Sequence, residues 1–254
     1  MSIVVSVHSF RGGTGKSNLT ANVAASLARA GKRVAVIDTD IQSPGIHVLF
    51  GFADEVPDHT LNSYLWGDCS VVEAAIEVTD RVPGETSGAV FLVPSSMKAG
   101  DIARILRDGY DVELINEGIS TLMSELALDV VLIDTHPGLN EETLLSIAIS
   151  DTLVVLLRPD HQDFQGTAVT VDVARRLGVP RQVAVVNKAY AGLDPDDVRA
   201  KVEAAYDIPV IAVLPLAEEV AENASDHLFA LTSPDHPWSL GVAAVTEALS
   251  RPPT

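Results

Sequence analysis

The chain has 254 residues, of which 47% are hydrophobic, and this is enough for one large α/β domain, which we expect to span residues 1–254. No apolar stretch is long enough to cross a membrane, and we expect no signal peptide because no basic region precedes the first apolar run. The single cysteine, Cys69, excludes a disulfide within the chain and indicates a reducing, cytoplasmic setting. A formal net charge of −18 disfavours broad attraction to DNA or to anionic lipid.

Apolar, β-branched runs alternate with helical patterns along the chain. The predicted strands are Ile3–Val7, Val34–Ile37, Ala89–Val93, Val130–Ile133, Leu153–Leu157, Val183–Val186 and Val210–Leu214. The predicted helices are Asn18–Ala30, Asp101–Arg107, Val112–Leu126, Glu141–Ile149, Phe164–Leu177, Pro195–Tyr206 and Trp238–Leu249. The strand runs are continuously apolar, which is typical of parallel strands buried on both faces. This alternation predicts a doubly wound, mostly parallel α/β sheet flanked by helices.

The first predicted strand leads into a glycine-rich loop that reads Phe-Arg-Gly-Gly-Thr-Gly-Lys-Ser over residues 10–17. Glycines allow backbone N–H groups to approach phosphate oxygens where a Cβ atom would obstruct them. The order of strand, loop and helix is that of a phosphate-binding loop, with Lys16 on the β- and γ-phosphates and the Ser17 hydroxyl on Mg²⁺. The predicted nucleotide-binding residues of this loop are Gly12, Gly13, Thr14, Gly15, Lys16 and Ser17.

The loop departs from the common pattern G-x-x-x-x-G-K-[ST] at its first position, where Phe10 replaces glycine. The remainder, [K/R]-G-G-x-G-K-[ST], resembles the deviant Walker A loop of the ParA/MinD family of dimeric ATPases. The resemblance implies the P-loop NTPase fold, ATP and Mg²⁺ as ligands, and an ATP-dependent homodimer. In that family a lysine at the position of Arg11 reaches the nucleotide of the partner, so we expect Arg11 to act in trans with its charge retained.

Two acidic residues, Asp38 and Asp40, follow the second predicted strand and resemble the D-x-D motif of the same family. The resemblance places Asp38 near the metal and Asp40 on the water that attacks the γ-phosphate. Phosphoryl transfer depends mainly on positioning and charge neutralisation, which is consistent with a carboxylate that orients water. The alternative is that Asp40 caps the turn that follows it.

The segment from Asp129 to Gly138 is an apolar strand that ends in an acid. It resembles the Walker B and switch II segment of the family, in which Asp134 would hold Mg²⁺ through water. Gly138 would let the loop move as the γ-phosphate arrives and leaves. We expect His136 to pack beside Pro137 or to face solvent; the alternative is that it senses the γ-phosphate.

The strand Val183–Val186 is followed by Asn187, which in relatives bonds the adenine. A guanine-selective site normally reads Asn-Lys-x-Asp, and here Tyr190 stands where the aspartate is needed, so ATP is expected rather than GTP. Pro215 matches the late loop of the family, whose backbone lies along the base. The alternative is that Pro215 only ends a strand.

The resemblance implies an ATPase that positions or partitions a cargo. Nucleotide would switch it between a surface-bound and a released state, and an activating partner protein or cargo adaptor would trigger the release. Two alternatives are an ATP-dependent ligase or kinase of a small metabolite, for which residues 51–128 show no recognisable substrate constellation, and a nucleotide-binding scaffold without turnover. The latter ranks last because every expected site residue is present.

The surface that such an ATPase would bind is left open by the sequence. The helix Trp238–Leu249 is flanked only by Arg251 and lacks the basic face of a membrane-targeting helix. Non-specific DNA binding is disfavoured by the net charge, although Arg175, Arg176 and Arg181 cluster in sequence. A protein scaffold or cargo adaptor fits at least as well.

Overall fold

The computed structural model describes residues 2–53 and 57–251. Its strands are β1 (Ile3–His8), β2 (Arg33–Asp38), β3 (Ile76–Glu77), β4 (Ala89–Val93), β5 (Val130–Asp134), β6 (Thr152–Leu157), β7 (Arg181–Ala189) and β8 (Val210–Pro215). Its helices are α1 (Lys16–Arg29), α2 (Ile46–Leu49), α3 (Leu61–Leu65), α4 (Ala99–Asp108), α5 (Glu113–Glu125), α6 (Glu141–Ala148), α7 (His161–Arg176), α8 (Pro195–Tyr206), α9 (Glu218–Glu222), α10 (Phe229–Thr232) and α11 (Pro237–Ser250).

The strands form one sheet in the order β3-β4-β2-β5-β1-β6-β7-β8. All neighbouring pairs are parallel except β3 and β4, which are antiparallel. Strand β1 lies in the interior, between β5 and β6. The chain leaves β1 at the carboxyl edge of the sheet, where the loops of a doubly wound fold gather a ligand.

Helices cover both faces of the sheet, and alternate residues of each strand serve opposite faces. On β6, Val154 and Leu156 pack in the core shared with α1 and α11, whereas Leu153, Val155 and Leu157 pack in the core shared with α7 and α8. Helices α3, α4 and α5 complete the second face over β2 and β4. Burial on both faces explains why these strands are continuously apolar.

The predicted fold class is confirmed. Each predicted strand and helix is present, and its observed ends differ from the predicted ends by at most three residues. The prediction omitted β3 and four short helices, α2, α3, α9 and α10. In the described part of the chain, no helix is both long enough and apolar enough to span a membrane.

Candidate functional site

The phosphate loop joins the end of β1 to the first turn of α1. Gly13 and Gly15 have φ angles of 76° and 97°, which glycine adopts far more readily than other residues. Gly15 is the N-cap of α1 and provides no side-chain acceptor, so N–H groups of the first turn remain available for an anion. Lys16 is buried at the start of this helix. The loop therefore directs N–H donors and a cation at one point, as a phosphate requires.

Strand β7 holds the loop from one side through two side chains. Asn187 Nδ2 donates to the Thr14 carbonyl oxygen at 2.8 Å, and Lys188 Nζ donates to the Gly13 carbonyl oxygen at 2.7 Å. The β7–β8 register shifts between Val186 and Ala189, and Lys188 has a φ of 60° in this irregularity. Such a bulge redirects side chains out of the regular pleat. Here it directs Asn187 and Lys188 onto the loop.

Two carboxylates meet on adjacent strands beside the loop. Asp38 ends β2 and Asp134 ends β5, and the two are partners in the β2–β5 register. Both are almost completely buried. Asp38 Oδ1 accepts from the Asp40 backbone N–H at 3.0 Å, whereas Asp38 Oδ2 and Asp134 Oδ1 have no hydrogen-bond partner. The Gly45 backbone lies near Asp38 and the Ser17 hydroxyl near Asp134, and each lowers the pKa of its neighbour. The site thus contains two buried carboxylate oxygens without a donor.

Burial, together with the charges of neighbouring carboxylates, makes both groups weak acids. Burial raises the pKa of Asp38 well above its ordinary value, and the charges of Asp134 and Asp40 raise it further. Burial also raises the pKa of Asp134 to about 6, opposed by the Lys16 charge and the Ser17 hydrogen bond. A cation placed between the carboxylates would favour their charged forms.

These residues fit a magnesium ion that is shared with phosphate. Mg²⁺ prefers oxygen ligands and is usually bound by one or two carboxylates together with phosphate oxygens and water. The two unpartnered carboxylate oxygens and the Ser17 hydroxyl provide such a donor set. Among the described residues, no group of three or more His, Cys, Asp or Glu could hold a metal alone. Phosphate oxygens would therefore have to complete the coordination.

Asp40 lies at the rim of the site and caps the turn that follows it. Its Oδ1 accepts from the Ser43 backbone N–H at 3.2 Å and from the Ser43 hydroxyl at 3.0 Å, which is the turn-capping alternative raised by the sequence. His136 Nε2 lies 3.8 Å from the same oxygen, with 24% of the histidine side chain and 15% of the aspartate side chain exposed. The expectation for His136 was incomplete, because the ring also faces Asp40. The role of Asp40 with water stays a prediction.

Arg11 is held by its own chain. Its guanidinium donates to the Gln162 side-chain oxygen in the first turn of α7. The loop is also tied internally, since Thr14 Oγ1 donates to Ser9 Oγ at 2.9 Å and Ser9 Oγ donates to the Arg11 carbonyl oxygen at 2.7 Å. The predicted contact of Arg11 with a partner copy would require the bond to Gln162 to break.

The two residues predicted to contact the base lie on β7 and at the end of β8. Asn187 is buried, and both its polar atoms are engaged, because its Oδ1 accepts from the Lys188 backbone N–H at 2.9 Å. A direct bond from Asn187 to adenine would displace one of these contacts. Pro215 ends β8, opposite Ala189 of β7, and the next residue, Leu216, is largely exposed. The base contacts of Asn187 and Pro215 stay predictions.

His8, the last residue of β1, was not predicted from the sequence. Its ring is completely buried and its Nδ1 lies 2.8 Å from Thr135 Oγ1, whose hydroxyl donates to the Val7 carbonyl oxygen at 3.0 Å. His8 Nδ1 must therefore carry the hydrogen of this contact. Burial, Lys16 and His136 lower the pKa of His8 to about 3. A polar residue at a strand end was the signal that found Asp38, and it would have found His8.

Comparison with known proteins adds three findings. A family model described as the CobQ/CobB/MinD/ParA nucleotide binding domain matches residues 5–230. An uncharacterised ATP-binding protein of Methanocaldococcus jannaschii is 28% identical over 225 residues, and the match covers 89% of this chain and 78% of that protein. An iron–sulfur cluster carrier protein of Pseudomonas fragi is 25% identical, and the match covers 93% of this chain and 81% of that protein. The structure of the septum site-determining protein MinD of Pyrococcus horikoshii, complexed with Mg-ADP, superposes with a TM-score of 0.81 at 21% identity. The superposition covers 98% of this chain and 96% of that chain.

Proposed function

Because the chain belongs to the CobQ/CobB/MinD/ParA family of nucleotide-binding domains, we propose that it is an ATPase that binds ATP with Mg²⁺ and dimerises around it. One observation carries this proposal. Asp38 and Asp134, with two unpartnered oxygens, lie at adjacent strand ends beside Ser17 and the buried Lys16. Burying two acids beside the single charge of Lys16 is costly, and a phosphate-bound Mg²⁺ would offset that cost.

Different residues of the site bind the phosphates, hold the metal and orient the water. The N–H groups of residues 12–17 and the Lys16 ammonium bind the phosphate oxygens, which helps to stabilise charge that builds up in the transition state. When bound, Mg²⁺ would neutralise phosphate charge, and Ser17, Asp134 and Asp38 are the residues that would hold it. Asp40 orients the attacking water from the rim. Hydrolysis by a single copy is expected to be slow, because one charge-stabilising group is supplied by the partner.

That group is Arg11. We propose that in the dimer Arg11 leaves Gln162 and contacts the phosphates bound to the partner copy. Arginine suits this role because its planar guanidinium binds phosphate through two parallel hydrogen bonds. Nucleotide would then control whether two copies are joined, and hydrolysis would separate them.

We further propose that the dimer positions or partitions a cargo in the cytoplasm through an activating protein partner or cargo adaptor. A protein partner is favoured over DNA because the chain carries a formal charge of −18. The clustered arginines are also engaged within the chain. Arg175 donates to the Tyr206 carbonyl oxygen, Arg176 pairs with Asp172, and Arg181 donates to the Ala248 carbonyl oxygen.

The named relatives suggest one further candidate, transport of an iron–sulfur cluster. Such clusters are generally held by four thiolates. This chain has one cysteine, Cys69, so two copies supply two thiolates. We therefore favour the ATP-switched dimer over cluster transport.

The test combines calorimetry with Mg²⁺ and ATP and light scattering with and without ATP. The wild-type chain is expected to bind ATP and to dimerise only when ATP is present. Lys16→Ala is expected to abolish ATP binding. Arg11→Ala is expected to bind ATP but dimerise weakly, whereas Arg107→Ala, which changes an exposed arginine paired with Asp108, should behave as wild type.

Asp40→Ala separates binding from hydrolysis. It is expected to bind ATP, to lose turnover by about 100-fold or more, and to remain dimeric. A pull-down with this variant and ATP would then identify the retained surface as protein, DNA or lipid. Wild-type turnover by Asp40→Ala would refute the role assigned to this carboxylate, and a wild-type chain that takes up no ATP would refute the whole proposal.

A further inference from the structure

We propose that Phe10 and Gly166 form a matched contact that positions the phosphate loop, so that α7 sets the conformation in which the loop binds nucleotide. The contact joins the first residue of the loop pattern to the middle of a helix that packs on β6. This inference rests on the proposed binding of ATP and is independent of dimerisation. Phe10 and Gly166 are positioning residues, because neither is placed on the nucleotide.

The ring of Phe10 occupies the space that a side chain at residue 166 would need. A Cβ atom on Gly166 would lie 2.1 Å from Phe10 Cδ1, 2.3 Å from Cγ and 2.8 Å from Cβ. Real Cβ atoms do not approach other heavy atoms so closely. Any other residue at 166 must therefore displace the ring, which is 36% exposed and can rotate. Rotation does not move the Phe10 Cβ atom, so we expect the 2.8 Å approach to that atom to shift the backbone at the start of the loop.

The choice of residues at both positions is unusual, and the contact explains both. Gly166 is buried in the interior of the 16-residue helix α7, where glycine is a poor helix former. Phe10 stands where the common loop pattern has glycine. The Phe10 ring on the loop fills the space that a side chain at residue 166 of the helix would occupy.

A second contact joins the same helix face to the next loop residue. Gln162 lies four residues before Gly166, so the two share one face of α7, and Gln162 accepts from the Arg11 guanidinium. On the opposite side, the Gly138 backbone N–H donates to the Ser9 carbonyl oxygen at 3.3 Å. The start of the loop is thus held between α7 and the segment that follows β5. A shift of Phe10 would move the N–H groups of residues 12–15 away from the phosphates.

The experiment is a double-mutant cycle of Gly166→Ala and Phe10→Ala, read by calorimetry with Mg²⁺ and ATP. Gly166→Ala alone is expected to weaken ATP binding by about tenfold or more, because small misplacements of binding groups have large effects. In the Phe10→Ala background, Gly166→Ala is expected to change ATP affinity by less than about twofold, since additivity fails for residues in contact. There it should also raise the melting temperature without nucleotide, because alanine favours the helix.

Gly118→Ala in helix α5 is the matched control, since a Cβ atom there would lie 2.9 Å from Cε1 of Tyr64 in helix α3, and neither residue belongs to the loop. It is expected to leave ATP affinity unchanged. Phe10→Leu and Phe10→Ala provide a second test if Gly166→Ala does not fold, and Leu is expected to retain more ATP affinity than Ala.

Three results would overturn the positioning role: unchanged ATP affinity in Gly166→Ala, an equal loss in both backgrounds, or equal affinity of Phe10→Leu and Phe10→Ala. A wild-type chain that binds no ATP would overturn it together with the proposed function. A chain that completes the cycle as expected but never dimerises would refute only the dimer.

Discussion

At the scale of single residues, the site is built from acids that are kept in an unfavourable state. Asp38 is buried beside Asp134 and Asp40, and burial is the main reason that its pKa is raised. One of its oxygens has no hydrogen-bond partner. A carboxyl group in such surroundings lowers the stability of the protein without ligand. Acids whose pKa is raised in this way are typical of functional sites.

Replacing Asp38 with asparagine should therefore stabilise the protein without ligand. We expect Asp38→Asn to raise the free energy of unfolding by about 1–2 kcal/mol, because the amide keeps its size and removes a buried like charge. The same variant should gain less stability from Mg²⁺ and ATP than wild type. Thermal melting with and without Mg²⁺ and ATP measures both effects. A variant that is less stable without ligand would contradict this account of the buried acids.

His8 predicts a specific dependence of stability on pH. Its pKa falls from an ordinary value of 6.5 to about 3 on folding, so below pH 6.5 the unfolded chain binds a proton that the folded chain rejects. Stability from this group is complete above pH 6.5 and is lost as the pH falls towards 3. Between pH 7 and pH 5 the loss is expected to be about 2 kcal/mol.

Urea unfolding of wild type and His8→Asn at these two pH values measures the contribution. Asparagine can keep the contact with Thr135 and does not titrate. The variant is expected to lose less stability on acidification than wild type. An equal loss in the two proteins would show that His8 is protonated in the folded state.

Much of the site follows from residue types at strand ends, and the rest depends on tertiary contacts. Lys16 and Ser17 were predicted from the loop pattern, and Asp38 and Asp134 from the family resemblance of the segments that contain them; the structure places these residues together. The bond from Arg11 to Gln162 joins residues 151 positions apart, and no local pattern in either segment indicates it. Contacts of this kind are decided by how a helix packs on the sheet.

At the scale of elements, the phosphate loop depends on β7 as much as on β1 and α1. Gly15 illustrates this, because a Cβ atom at this position would lie 2.6 Å from Asn187 Nδ2 and the residue has a φ of 97°. The side chain of Asn187 and the backbone of Gly15 therefore share one small space. Substituting Gly15 should disturb both the loop and the β7 clamp.

We expect Gly15→Ala to destabilise the protein by about 1–3 kcal/mol through backbone strain and the clash with Asn187. Gly13→Ala is the matched comparison, since its φ is 76° but no atom lies within 4 Å of its added Cβ. Gly13→Ala should therefore lose only the part of the stability that is due to backbone strain. Equilibrium unfolding of both variants measures the difference, and equal losses would show that the Asn187 clamp is easily displaced.

The elements missed by the sequence analysis are those that are too short to show a period. Strand β3 has two residues and α2 has four, so neither contains enough positions for an alternating or helical pattern. Helix α7 begins at His161, three residues before its predicted start, because Asp160 caps it by accepting from Gln162 and Asp163 N–H groups. An acid before a helical pattern is a usable N-cap signal.

At the scale of the whole molecule, charge should govern association. Each copy carries a formal charge of −18, so two copies repel one another at low ionic strength. Raising the salt concentration from about 0.02 M to about 0.15 M shortens the screening length to about 8 Å and should increase the dimeric fraction. Light scattering of Asp40→Ala with ATP measures this, and Lys16→Ala is the control expected to remain monomeric. A dimer that salt dissociates would show that local pairs of opposite charge, such as Arg11 with the partner's phosphates, outweigh the repulsion between the two net charges.

The topology could be predicted only in part. Alternating strands and helices establish a parallel sheet because crossover connections need helices. The strand order with β1 between β5 and β6 is set by which faces pack together, and the linear pattern does not encode it. The position of α7 beside the phosphate loop follows from that order.

The clamp by Asn187 and Lys188 has a kinetic consequence. Both side chains hold loop carbonyl groups in place through direct hydrogen bonds, so we expect the loop to be ordered before ATP arrives. Association of a fluorescent ATP analogue, followed by stopped flow, should therefore proceed in one phase whose rate rises linearly with concentration. A rate that levels off would mean that opening of the clamp precedes capture.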